Sequence, residues 1–194
     1  MVHLSEEPIK RVSRTRLLGK GSALIALGII LFIPVSFLYV LNAKLNIEPL
    51  HLGQPLPKLE LVTSSGISFP VDNCDGKKIV LLFFTIECPH CQKALINLEW
   101  LMQKYGDKLA IVSISLSDAN KTVTFVAERK FTFPVLLTDK NKARKSFKIA
   151  AVPALFLFDE RRKLKFIRFG EWPIESGEQL INDFLTNTLN GDNK

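Results

Sequence analysis

The run Ile79-Val80-Leu81-Leu82-Phe83-Phe84, followed within four residues by Cys88-Pro89-His90-Cys91, constrains this chain more than anything else in it. An unbroken apolar run of that length fits a strand buried on both faces of an open sheet. Beyond it, Leu95, Leu98, Leu101 and Met102 recur at helical spacing, so Pro89 to about Tyr105 reads as a helix, stopped by Gly106. The two cysteines therefore stand where a strand gives way to a helix. Cys88 there faces unpaired backbone N–H groups and the positive end of the helix dipole, which favour a thiolate and make the sulfur reactive at neutral pH. Pro89 suits the first turn, since it has no N–H to leave unpaired and its φ is already helical. A protonated His90 would push in the same direction. Cys91 lies on nearly the same helix face as Cys88, so the two sulfurs can close a small disulfide ring.

Length and charge limit what surrounds this motif. The chain has 194 residues, 47% of them hydrophobic, which suits one domain with appendages and a core of its own. Three cysteines cannot form a dense disulfide scaffold. The formal net charge is +7, and Lys10, Arg11, Arg14, Arg16 and Lys20 concentrate part of it in the first twenty residues. No interleaving of basic and aromatic residues suggests a nucleic-acid face. Arg161, Arg162, Lys163, Lys165 and Arg168 read as a solvated hairpin, with docking of an acidic partner as the lesser option.

Residues 1–20 read as a basic cytoplasmic arm. Residues 21–43 carry no charge and are almost continuously apolar, long enough to cross a bilayer core of about 30 Å. Pro34 inside the segment is tolerated in membrane helices. Basic residues before the span place the N-terminus in the cytoplasm and the rest in a periplasmic or equivalent extracytoplasmic space. A cleaved signal peptide and a buried soluble helix are the competing readings. Residues 44–55, with Pro49, Gly53 and Pro55, read as a linker. A folded domain is expected over 56–190 and a short tail over 191–194.

Within that domain, 59–62 and 67–69 flank a turn at 63–66 and predict a β-hairpin. Strands are expected at 79–85, 109–116, 134–137, 154–158 and 164–169. Helices are expected at 89–105, 120–130, 139–147 and 175–189. The alternation implies an α/β sheet with helices on both faces. Trp100 and Trp172 read as core or rim packing, and Cys74 as a half-buried thiol outside the redox pair.

Taken together, C-P-H-C after a strand, "GQPLPKLEL" (53–61), "FTFPVLLTD" (131–139) and "AVPALFLFDE" (151–160) resemble the thioredoxin-like superfamily. More narrowly, they resemble membrane-anchored TlpA/ResA-type thiol-disulfide oxidoreductases. The likeness covers about residues 52–189. It implies a thioredoxin fold, a central mixed β-sheet flanked by helices, with an N-terminal β-hairpin extension and one preceding transmembrane helix. It implies that Cys88 is the exposed nucleophile, Cys91 the resolving cysteine and Cys88–Cys91 a redox-active disulfide. It implies that Pro153 is a cis-proline beside that disulfide, with backbone at Val152 binding substrate. The implied partners are protein thiols and disulfides and a membrane electron-transfer protein, with the chain itself a monomer. No cofactor or metal is implied, because the cysteine pair carries the electrons.

Two positions depart from the family pattern. Glu87 stands where many thioredoxins have an aromatic residue, and its carboxylate should oppose the effect of His90 on Cys88. Leu82 stands where many have a buried acid. The expected activity is dithiol–disulfide exchange on extracytoplasmic proteins, as a reductase or a maturation factor such as one serving c-type cytochromes. A DsbA-like disulfide oxidase is the alternative, since Pro-His is the dipeptide of that strong oxidant. Two other classes stay open: a peroxiredoxin-like thiol peroxidase, from Thr85-Ile86-Glu87-Cys88, and a non-enzymatic metal-delivery protein using Cys88, His90 and Cys91.

Overall fold

The computed structural model describes residues 34–36, 50–71, 74 and 76–189. The chain divides into two compact units, Met1–Asn46 and Ile47–Lys194. In the first, residues 34–36 are helical. The arm, most of the apolar segment, residues 44–49 and the tail lie outside the described residues, and among the described residues no helix is long and apolar enough to cross a membrane.

The second unit has the thioredoxin-like arrangement. Its elements in chain order are β1 (Val62–Thr63), β2 (Lys78–Phe84), α1 (Pro89–Tyr105), β3 (Leu109–Ser115), α2 (Ala119–Arg129), β4 (Val135–Leu137), α3 (Lys140–Phe147), β5 (Ala154–Phe158), β6 (Leu164–Phe169) and α4 (Ile174–Leu185). One six-stranded mixed sheet runs β1-β4-β3-β2-β5-β6. β2, β3 and β4 are parallel, joined through helices, while β5 opposes β2 and β6 opposes β5.

Every residue of β2 is buried. Side chains alternate across a strand, so the run divides between two cores. Val80, Leu82 and Phe84 pack with Leu95 and Leu98 of α1 and Ile181 and Phe184 of α4. Ile79, Leu81 and Phe83 pack with Ala143 and Phe147 of α3 and with Phe156 and Phe158. Asp118 and Asp139 cap α2 and α3 by accepting the backbone N–H groups of Lys121 and Lys142 at 3.1 and 2.7 Å.

Three boundaries differ from the sequence expectation. The last helix ends at Leu185 rather than 189. The buried Lys78 is the reason: its Nζ donates to the carbonyls of Phe184 (2.6 Å) and Leu185 (3.1 Å) and to Asn187 Oδ1 (2.9 Å). A cation at the carbonyl end of a helix satisfies groups that another turn would otherwise take up, and Asn187 then turns the chain with φ 60°. The N-terminal hairpin is real but shorter than expected. Thr63 N–H reaches Ile67 O and Phe69 N–H reaches Leu61 O, while Pro70 can donate nothing further. Residues 53–56, at the end of the expected linker, lie against β6, with Gly53 N–H on Leu164 O at 2.7 Å and Leu56 N–H on Arg162 O at 2.8 Å.

Candidate active site

β2 stops at Phe84, and four residues later Cys88 caps α1 in an extended conformation with Pro89 at the first helical position. Its side chain makes no capping hydrogen bond, and the first turn of α1 holds no acidic residue. The helix N-terminus therefore keeps the electrostatic character that favours an anion. The turn before it is pinned on several sides. Gln92 Nε2 donates to Ile86 O at 3.0 Å, Ile86 N–H donates to Ser117 Oγ at 3.0 Å, and Ser117 Oγ donates to Glu87 Oε2 at 2.7 Å.

The two cysteines occupy unlike environments. Cys88 is half-buried, and its Sγ lies 4.0 Å from the carbonyl oxygen of Val152. Cys91 is fully buried in the α1/α4 core. Burial pushes the Cys91 thiol up to about 12, with hydrogen bonding to Thr85 pulling the other way and the neighbouring Cys88 adding to the rise. One sulfur is thus open to a partner while the other stays protonated behind it. The Val152–Pro153 peptide is cis. Val152 is half-buried and Pro153 buried, and Gly170 N–H donates to Pro153 O at 2.8 Å.

His90 is exposed, and its Nδ1 lies 2.6 Å from Glu171 Oε2. Lys93 Nζ lies 3.0 Å from the other oxygen of the same carboxylate. Hydrogen bonds from His90 first, and Lys93 next, hold Glu171 below the usual carboxylate range. Ser117 does the same for Glu87, helped by Lys121 and Lys140. Glu87, the expected modulator of Cys88, therefore spends one oxygen on Ser117. Leu82 is fully buried and apolar.

The remaining expectations fall elsewhere. Cys74 is half-buried against the α3 core, on the opposite face of the sheet from Cys91. Trp172 is a core residue at 1% exposure, and Trp100 lies at the rim with Lys104 Nζ 4.8 Å from its ring. The basic hairpin is not wholly solvated: Arg162 donates to Lys77 O at 2.8 Å, and Lys165 pairs with Asp159 at 3.3 Å. Among the described residues no three His, Cys, Asp or Glu side chains are grouped to hold a metal ion. Sequence reasoning missed Glu171 and Ser117. Each is brought to the motif by a different strand, and neither carries a local pattern that would single it out.

A family model described as the AhpC/TSA family matches residues 52–167. The chain belongs to the AhpC/TSA family. It is 28% identical over 163 residues to the thioredoxin-like protein YneN of Bacillus subtilis, covering 80% of this chain and 95% of that one. It is 30% identical over 105 residues to sporulation thiol-disulfide oxidoreductase A of the same organism, covering 52% of this chain and 64% of that one. A solved structure from Chlorobium tepidum, titled for a thiol:disulfide interchange protein DsbE, superposes with a TM-score of 0.65 at 22% identity, covering 70% of this chain and 99% of that one. This AhpC/TSA member is a thioredoxin-like thiol-disulfide oxidoreductase.

Proposed function

We propose that this oxidoreductase is anchored in the cytoplasmic membrane by residues 21–43 and uses Cys88 and Cys91 to reduce disulfides in extracytoplasmic proteins. The observation that carries the site is the half-buried Cys88 Sγ, 4.0 Å from Val152 O beside the cis Pro153, with Cys91 sealed behind it. Val152 then offers backbone to an extended substrate strand, as in strand addition at a sheet edge.

The exchange balances in two steps. Cys88 thiolate attacks one sulfur of the substrate disulfide, forming a Cys88–substrate disulfide and releasing the other substrate sulfur, which takes a proton. Cys91 gives up its proton and attacks Cys88 Sγ, releasing the second substrate thiol. The substrate gains two electrons and two protons, and Cys88–Cys91 is left oxidised. A membrane-borne dithiol donor must then restore the pair. A raised Cys91 keeps the second step waiting until a mixed disulfide forms. Maturation of c-type cytochromes is one role that such a reductase would fill.

The same pair run backward is a disulfide oxidase, and the equilibrium potential separates the two. In glutathione buffers, the purified full chain should poise near about −270 mV as a reductase, whereas about −120 mV would make it an oxidase. Failure to form any reversible disulfide would remove Cys88 and Cys91 as the site. Against the peroxidase reading stands Thr85, whose hydrogen bonding lowers the pKa of the buried Cys91, where that reading would have it serve the accessible thiol. On intact cells, a membrane-impermeant maleimide should label Cys88; protection of that thiol until lysis would refute the extracytoplasmic placement.

A further inference from the structure

Three consecutive residues between β6 and α4 reach both halves of the site. Gly170 N–H holds the carbonyl of Pro153 at 2.8 Å. Glu171 takes His90 on one carboxylate oxygen at 2.6 Å and Lys93 on the other at 3.0 Å. These two residues are one turn apart on the same helix face. Trp172 O accepts from Asn97 Nδ2 at 2.8 Å, a turn further on, while the Trp172 ring is buried in the core that holds Cys91. The helix carrying the cysteines and the loop carrying the cis-proline are thus fastened to one short segment.

We propose that Glu171 is a positioning residue of the redox pair, one that draws the charges of His90 and Lys93 away from Cys88 and so keeps the disulfide from being a strong oxidant. The inference rests on the assignment of Cys88–Cys91 as that pair. An imidazolium and an ammonium beside a helix N-terminus would both favour the Cys88 thiolate, and a favoured thiolate makes the dithiol the better state. Glu171 cancels one of those charges. Its replacement by glutamine keeps the size and hydrogen-bonding capacity but removes the negative charge. The expected direction is toward the dithiol, because Lys93 and the helix N-terminus then act on Cys88 without the counter-charge of Glu171.

The test is the equilibrium constant of the full chain with glutathione, at low ionic strength because exposed charges are screened by salt. Glu171→Gln should move the constant toward the dithiol by about three- to tenfold. Lys93→Gln should move it the opposite way, and Glu171→Asp, which keeps the charge, should return it to the wild-type value. Glu178→Gln is the control. It breaks the Lys104 ion pair that joins α4 to the far end of α1, and it should leave the constant unchanged. A residue that only docks helices stabilises both redox states alike and cannot move this constant. An unchanged constant in Glu171→Gln, a shift toward the disulfide, or an equal shift in Glu178→Gln overturns the proposal. If Glu171→Gln fails to fold, an unmoved Lys93→Gln overturns it as well. A wild-type chain that forms no reversible disulfide refutes the assignment of the pair instead.

Discussion

On one face of β2, Phe83 meets Phe147 and Phe156 with ring centroids 4.7 and 5.6 Å away, and Phe147 also meets Phe156 and Phe158. On the other face, two residues of the same strand, Leu82 and Phe84, pack around Cys91, Trp172 and the inner sides of α1 and α4. The first face is an aromatic cluster with the edge-on and tilted contacts that add to area burial. The second accepts a buried thiol and the loop that carries Glu171. The contrast teaches that one strand can supply rigidity to one side and chemistry to the other, because successive side chains point to opposite faces of the sheet.

The separation can be broken from either side. Phe147→Ala empties the centre of the aromatic face and should cost about 3–5 kcal/mol of unfolding free energy by urea titration. The glutathione constant should stay within about twofold; a larger change would mean that the two faces are coupled. Next comes a pH effect confined to the chemical face. Burial raises Cys91 from the ordinary thiol range to about 12, so over that range the unfolded chain releases a proton that the folded chain keeps. The folded dithiol therefore loses stability as pH rises from about 9 to 12. Cys91→Ala should flatten that decline relative to wild type, and parallel curves would contradict the burial argument. The smallest effect is expected at Gly177, where an added Cβ would meet Trp172 Nε1 at 2.7 Å and Cδ1 at 2.8 Å. Gly177→Ala should cost about 1–3 kcal/mol by overpacking. Unlike Phe147→Ala, it should also shift the glutathione constant, because the displaced indole neighbours Glu171.

The fold was largely legible because its signals are local. The β2 run and the apolar stripe of α1 each declare themselves within a dozen residues. The end of α4 was not legible, since a lysine more than a hundred positions earlier sets it. The pairing of the N-terminal hairpin with β4 was not legible either, since it too joins distant segments.

The same division runs through the site. The sequence by itself determined that two cysteines stand three apart at the start of a helix, and that a Val-Pro precedes the β5 strand. Only the tertiary structure decided that one thiol faces Val152 O while the other is sealed from solvent. It alone joined His90 to Glu171, 81 positions away. The physical reason is that hydrophobic period and helix-end chemistry are properties of neighbouring residues. Burial, by contrast, and the partner of a charge depend on which strands the sheet sets side by side.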